Sequence, residues 1–182
     1  MLISRSQAGD ASAWEPVVLA HEEAVFRLAY LILGDPDEAR DIAQETFVRA
    51  WRSIGRVDGS RPLQPWLLRI CTNLAVNRRR SVARYLAALM RRAQAEPRVP
   101  GTEELSAQQM EAQQLWQAVR RLDPADQQIV YLRYFLDLSV AETAETLQTA
   151  QGTVKSRSHR ALERLRNVIR REFPMLGDER SA

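Results

Sequence analysis

The chain has 182 residues, enough for one medium domain or two small ones, and its composition (45% hydrophobic, 27% charged) excludes wholesale disorder. A single cysteine, Cys71, excludes an internal disulfide, and the sequence has no secretory signal peptide and no apolar run near the ~20 residues that span a bilayer, so we expect a soluble, cytoplasmic protein. The formal net charge of +3 hides two arginine-rich stretches, residues 69–98 and 152–171, which flank an acidic stretch over residues 101–145 and favour a bipartite contact with a polyanion.

The first half of the chain is predicted to be helical, without a convincing period-two strand. Gly34 ends the first helix, and Asp35 and Pro36 open the second as its N-cap and its first helical residue. Glu38 is spaced to reach back to the cap and complete a capping box. Glycines and a proline mark residues 55–63 as a loop. The predicted helices are residues 13–33, 36–54 and 65–90.

The second half is predicted to be helical as well, beyond a Pro- and Gly-containing flexible linker over residues 94–108. Asp123 is expected to cap one helix, Ser139 and Glu142 form a second capping box, and Thr149 is expected to cap the last helix. The predicted helices are residues 105–121, 124–136, 140–147 and a last one to about 173. The fold class is therefore all-α, with two small helical domains over residues 1–93 and 109–177.

The last helix, with the string GTVKSRSHRALERLR, has one basic and one apolar side. Its apolar side, which includes Val154 and Leu165, can dock on the preceding short helix, so the pair predicts a helix-turn-helix that enters a DNA major groove. The residues expected to meet base edges are Lys155, Ser156, His159 and Arg160, and the flanking phosphate contacts are Thr149, Thr153, Arg157 and Arg164. The alternative is an ordinary amphipathic helix at the end of a bundle.

Residues 122–166, from LDPADQQ to ERLR, resemble region four of the sigma-70-family initiation factors, above all those of the extracytoplasmic-function (ECF) group. The string GTVKSR followed by HRA is the most specific part. The resemblance implies that Lys155, Ser156, His159 and Arg160 read the −35 promoter element. Two departures from the family pattern are Ser158, where a leucine or isoleucine is usual, and the string VAET over residues 140–143.

Residues 14–53, with the run GDPDEARDIAQETFVRAW, resemble region two of the same factors. The resemblance implies that this helix docks on the clamp of core RNA polymerase. The side chains expected to do so are Asp41, Gln44, Glu45 and Arg49, whereas Phe47 and Trp51 are expected to pack inward. The alternative is that Asp41 and Glu45 form a plain solvated face at i,i+4 spacing.

The long helix over residues 65–90 carries a stripe about 80° wide on a helical wheel, made of Arg69, Asn73, Asn77, Arg80 and Arg84. Arginine and asparagine suit phosphates and base edges, and the resemblance implies that this stripe reads the −10 element while the loop over residues 56–63 helps to hold a flipped base. We expect Trp66 to be a core residue. Cys71 lies on the apolar side of the helix and is expected to be a small buried hydrophobe.

The sequence contains no nucleophile elbow, P-loop, dinucleotide fingerprint or zinc spacing, so we expect no enzymatic activity, cofactor or metal. The resemblance implies as partners core RNA polymerase, through its clamp and flap surfaces, and promoter DNA that is double-stranded at −35 and melted at −10. It also implies an anti-sigma partner, and a linker near the polymerase cleft. The rival hypotheses are a stand-alone helix-turn-helix regulator that dimerises on a palindrome, and a scaffold protein whose arginines are only solvated.

Overall fold

The computed structural model describes residues 10–90 and 107–176. The predicted linker over residues 94–108 lies outside the described residues, apart from Ala107 and Gln108, which already belong to a helix. The first half folds into three α-helices, with short 3₁₀ turns at Ala11–Ala13 and Ile54–Arg56. These helices are α1 (Glu15–Leu33), α2 (Pro36–Ser53) and α3 (Leu63–Met90).

The second half contains four further α-helices in the described residues. Where one continuous helix over residues 124–136 was predicted, the chain leaves α-helical geometry after Val130 and forms a π-helical turn, Tyr131–Phe135. The helices are α4 (Ala107–Arg120), α5 (Pro124–Val130), α6 (Val140–Leu147) and α7 (Gln151–Glu172), followed by a 3₁₀ turn at Pro174–Leu176. The prediction of an all-α chain with two small helical domains is confirmed.

Most of the predicted helix ends are confirmed. Gly34 ends α1 with φ = 80°, and the side chain of Asp35 accepts hydrogen bonds from the backbone N–H groups of Asp37 and Glu38. Ser139 and Glu142 form both hydrogen bonds of the predicted capping box. These arrangements depend on residues within a few positions of one another, which is why local sequence was enough to predict them.

Two predicted caps are wrong. Glu38 does not reach back to complete a box, because its Oε2 pairs with Nε of Arg78 on α3 at 2.9 Å. Thr149 does not cap α7, because the helix begins one residue too late for Thr149 to hold the N-cap position. Its backbone N–H donates to the carbonyl of Ala144 (2.9 Å) and closes the end of α6. The N-cap of α7 is Ala150, which makes no side-chain capping hydrogen bond.

One apolar core runs through both halves of the described chain. Leu28, Leu67 and Leu68 from the first half and Val119 and Leu132 from the second are fully buried in the same cluster. A smaller cluster of Ile129, Ala144 and Val154 holds α5, α6 and α7 together. The two domains therefore pack on each other directly.

Helix α3 extends beyond this core. Cys71 is fully buried, as predicted, and Trp66 is half-buried against the core, in agreement with its expected role. Val82 and Tyr85, which the wheel placed on the same apolar side, are instead exposed, at 43% and 65%. The pattern of the helix is continuous, but the partner helices end before it does.

Candidate nucleic-acid and polymerase interfaces

Helices α6 and α7 form the predicted helix-turn-helix. The turn between them uses Gln148 in the left-handed conformation (φ = 51°). Val154 and Ala161 are fully buried and Leu165 nearly so, and these residues fix which side of α7 faces the protein. The four residues predicted to meet base edges, Lys155, Ser156, His159 and Arg160, are all exposed. Their placement on one open face agrees with the prediction, whereas their contacts with bases stay a prediction.

Local contacts order part of this open face. The hydroxyl of Ser156 donates to the carbonyl of Thr153 (3.2 Å), and Nε of Arg160 donates to the carbonyl of Ser156 (3.3 Å). Nδ1 of His159 lies 3.6 Å from Oε2 of Glu163, one turn further along α7. Each of these contacts is between exposed groups, so a ligand can replace them at little cost.

Among the predicted phosphate contacts, Arg164 is placed differently from the others. Thr149, Thr153 and Arg157 are half-buried at the rim of the open face. Arg164 turns towards α5, where its Nη1 lies 3.0 Å from Oδ2 of Asp123 and also pairs with Oδ2 of the buried Asp126. A phosphate contact by Arg164 stays a prediction, but the structure gives this side chain a role in joining α5 to α7.

Asp123 is a helix cap and an ion-pair partner at once. The backbone N–H groups of Asp126 and Ala125 donate to its Oδ1, each at 3.0 Å. The bond from Asp126 is the main cause that holds the pKa of the Asp123 carboxyl below its ordinary value, and Arg164 contributes in the same direction. Sequence reasoning found the cap but missed the ion pair, because the arginine lies 41 positions away.

Ser158 lies on the buried side of α7, as the wheel predicted. Its side chain is 8% exposed, and its hydroxyl oxygen has no hydrogen-bond partner among the residues that the structure describes. A hydroxyl in this environment loses its bonds to water and gains none in return. The departure from the usual leucine or isoleucine therefore has a cost in stability.

The stripe on α3 faces the second half of the protein. Four of its residues are exposed, namely Asn73, Asn77, Arg80 and Arg84, and Arg69 is half-buried. All of them except Arg84 line a narrow cleft whose opposite wall comes from α5, α6 and the turn after α6. The residues of that wall are Gln128, Thr146, Leu147 and Gln148. Nothing in the local sequence indicated that α5 and α6 would form the other wall of this cleft.

The loop before α3 forms the rim of a second pocket, next to the stripe. Arg56, Arg61, Trp66 and Arg69 line it. Two acidic side chains also line it, Asp58 from the loop and Glu145 from α6, and Oε1 of Glu145 lies 3.6 Å from Nη1 of Arg61. A pocket with three arginines and an indole ring is suited to an anionic, aromatic ligand such as a nucleotide.

The predicted polymerase-binding residues lie on the outer face of α2. Asp41, Gln44 and Arg49 are exposed, and Glu45 is half-buried, with its Oε1 2.7 Å from Nε of Arg49. Phe47 is buried, so it packs inward as predicted. The contact of these four residues with polymerase stays a prediction.

Beside this face lies an apolar groove between α1 and α2 that sequence reasoning missed. Trp14, Phe26, Phe47 and Trp51 line it, and the rings of Trp14 and Trp51 lie 5.5 Å apart. Trp51 packs partly against the core and partly towards the groove. Phe47 and Trp51 were expected to pack inward, but their opening to a groove depends on the angle at which α1 crosses α2.

Metal-ligand clusters and membrane-spanning helices are both absent from the described residues. No group of three or more His, Cys, Asp or Glu side chains lies close enough to hold a metal ion within residues 10–90 and 107–176. No helix in the same two ranges is long and apolar enough to cross a membrane. Burial raises the pKa of the Cys71 thiol to about 12, so it is not a reactive nucleophile.

Comparison with known proteins gives two family matches, in the order expected from the sequence. The chain matches Sigma-70 region 2 over residues 17–85 and Sigma-70, region 4 over residues 112–165. The ECF RNA polymerase sigma factor SigW of Bacillus subtilis (strain 168) is 32% identical to it, over 92% of this chain and 95% of SigW. The ECF RNA polymerase sigma factor SigL of Mycobacterium tuberculosis (strain H37Rv) is 30% identical, over 92% of this chain and 94% of SigL.

Solved structures agree on the fold. The structure of CnrH in complex with the cytosolic domain of CnrY has a TM-score of 0.72 at 22% identity, and the match covers 94% of this chain and 96% of CnrH. The two Sigma-70 regions, carried on a three-helix unit followed by a helix-turn-helix, define the class as a transcription initiation factor. The chain belongs to the sigma-70 family of RNA polymerase sigma factors, in its ECF group, and directs promoter-specific transcription initiation. The predicted family is confirmed.

Proposed function

We propose that this sigma factor binds the clamp and flap surfaces of core RNA polymerase and reads its promoters through two separate surfaces. The exposed face of α7, made of Lys155, Ser156, His159 and Arg160, reads the −35 element in double-stranded DNA. The stripe on α3 reads the −10 element after the strands have separated. The observation that carries the proposal is that the four α7 side chains share one open face in a capped helix-turn-helix, within a chain of this family.

The −35 reader is supported by the chemistry of its open face. A lysine and an arginine can donate to the O6 and N7 atoms of guanine, and a serine or histidine can bond to either base of a pair. Thr149, Thr153 and Arg157 at the rim suit phosphate contacts, which set the register of the helix without reading sequence. Arg164 has the smallest part in this reader, because it is held by two carboxylates of α5.

The −10 reader is supported by the stripe and by the pocket beside it. Asn73 and Asn77 can pair with adenine edges, and Arg69, Arg80 and Arg84 supply charge for the backbone. The pocket with Arg56, Arg61 and Trp66 can receive a base that leaves the stack, which costs a few kcal/mol and least where the duplex is weak. A site that binds only the flipped base favours the melted promoter.

Polymerase binding joins the two readers. The outer face of α2, with Asp41, Gln44, Glu45 and Arg49, contacts the clamp, and the second half contacts the flap. Two weak readers held at a fixed separation bind paired sites with a raised effective concentration, without any new contact. The chain itself needs no catalytic group, cofactor or metal, because the polymerase performs the chemistry.

An anti-sigma factor completes the proposal. Two of the similar solved structures contain a bound partner: CnrH is in complex with the cytosolic domain of CnrY, and the sigma factor RpoE is in complex with the anti-sigma factor NepR from Bartonella quintana. A protein that works on RNA polymerase acts in the cytoplasm, which is where we place this chain. The apolar groove with Trp14 and Trp51, beside the polymerase-binding face, gives a partner a way to block that face.

Base readout is tested by substitution in the reconstituted holoenzyme. Arg160→Ala should lose roughly 1–3 kcal/mol of discrimination at one base pair of the −35 element, measured by competition between promoter variants. The matched control is Arg170→Ala, an exposed arginine of the same helix about 15 Å further along. Equal losses on every promoter variant would mark Arg160 as a phosphate contact and contradict its assignment.

A further inference from the structure

The two halves of the protein meet in an interface that lies beside the α3 stripe. Among the described residues, three polar bridges span it. Nη2 of Arg27 donates to the carbonyl of Phe135 (2.9 Å), Nη1 of Arg79 donates to Oε1 of Gln127 (3.0 Å), and Arg61 pairs with Glu145. This arrangement, which we name the closed state, leaves the opposite face of the helix-turn-helix open.

An aromatic contact closes the other end of the same interface. The ring of Tyr30 on α1 stacks on Trp116 of α4 (6.5 Å between centroids, 7° between planes), and the guanidinium of Arg120 lies 4.6 Å from the centre of a Trp116 ring. Gly34 lies against these side chains, and a Cβ atom added to it would be 3.2 Å from Cη2 of the Trp116 ring. The left-handed backbone at Gly34 (φ = 80°) and this close approach both favour glycine here.

The closed state also leaves polar groups poorly satisfied. Within the described residues, the hydroxyl of Tyr131 and Nε1 of Trp116 are buried without a hydrogen-bond partner. Arg79 is about half-buried, and the loss of solvent lowers the pKa of its guanidinium. Each of these groups regains water when the halves separate, so opening costs less than the apolar area of the interface suggests.

Glu145 is placed where an anion from DNA is expected. It lies at the base pocket of the proposed −10 reader, against Arg61 and beside Trp66 and Arg69, and its side chain is 30% exposed. In the closed state a carboxylate of the second half therefore sits among the cations of the first. The stripe faces α6 across the cleft, so a single strand that enters this cleft lies against α6.

We propose that Glu145 is an internal mimic of the DNA anion, which biases the free protein towards the closed state and competes with the melted −10 strand for Arg61 and its neighbours. This inference rests on the proposed −10 function of the stripe. An exposed ion pair alone contributes little, and the apolar interface supplies most of the closure. Glu145 sets the balance, because the apparent DNA affinity is proportional to the fraction of molecules in the open state.

The test measures closure and DNA binding separately, in the full-length free protein. Spin labels on Ala20→Cys and Asn167→Cys report the distance between the halves, since both positions are exposed and the buried Cys71 does not react. A fluorescent single-stranded DNA of about 20 nucleotides with random sequence reports binding by anisotropy. The key variant is Glu145→Gln, and Glu111→Gln is the control with the same change in charge, at an exposed position of α4.

Glu145→Gln should raise the open population about two- to fivefold and tighten DNA binding by the same factor, whereas Glu111→Gln should change neither. Glu145→Arg should open the protein further by setting a like charge against Arg61, and Arg61→Glu with Glu145→Arg should restore closure. Unchanged distances in both Glu145 variants would overturn the inference and leave the −10 function intact. Opening without tighter DNA binding would overturn the competition, and would show that the stripe is not the DNA surface.

Discussion

The unpaired hydroxyl of Ser158 gives the sharpest stability prediction. Ser158→Ala removes an oxygen that is buried without a partner among the described residues, at a position 8% exposed. Burying an unbonded hydroxyl costs about 1–3 kcal/mol, and alanine adds a few tenths of a kcal/mol of helix propensity. Because the small side chain leaves no large cavity on replacement, we expect a gain of about 1–2 kcal/mol in the free energy of unfolding.

This gain can be measured by thermal and urea unfolding followed by circular dichroism. For a chain of this length it corresponds to a rise in Tm of about 2–8 °C. The control is Ser156→Ala on the same helix, whose exposed hydroxyl already bonds to the carbonyl of Thr153, and which should stay within about 0.5 kcal/mol of the wild type. A loss of stability in Ser158→Ala, at an unchanged urea m-value, would refute the reasoning, since it would mean that the hydroxyl is hydrogen-bonded in the folded protein.

Four further predictions concern separate parts of the protein. Asp41→Arg should abolish association with core polymerase in a pull-down while leaving Tm unchanged, because the side chain is exposed on α2. Arg164→Ala should lower Tm, because it leaves the buried carboxylate of Asp126 without its positively charged partner. An unchanged Tm would show that Arg164 does not stabilise the fold. The folded protein lowers the pKa of the Asp123 carboxyl, so this group stabilises the fold above its unfolded pKa of about 3.9. That stabilisation is lost as the pH falls through the folded pKa. Asp123→Asn keeps a capping side chain but does not titrate, so it should flatten the acid dependence of the free energy of unfolding. Gly34→Ala should cost at least about 1 kcal/mol in urea unfolding, because alanine is strained at φ = 80° and its Cβ meets the side chains above it.

The sequence predicted the parts of the fold that depend on short-range chemistry. Asp35 and Ser139 cap their helices as expected, because a capping side chain bonds to backbone groups two or three residues away. The exposed and buried sides of α7 followed from its wheel, since a helix whose neighbours all lie on one side has one inward face. The family resemblance then gave the order of the two domains.

What the sequence did not predict depends on residues far apart in the chain. Glu38 and Arg164 are each bound by partners about 40 positions away, and both therefore have a role different from the local one expected. Thr149 was expected to begin a helix, but the left-handed turn at Gln148 uses its N–H to end the previous one. The cleft beside the α3 stripe follows from how the two domains pack, which no local sequence pattern encodes.

The central claim is that this chain gives core RNA polymerase its promoter specificity. The direct test is run-off transcription from fragmented genomic DNA, with core polymerase in the presence and absence of the purified protein. We expect discrete transcripts from a small set of fragments only when both are present, and no sharp footprint by the protein alone. A discrete footprint without polymerase, or no transcript that depends on the protein, would contradict the account.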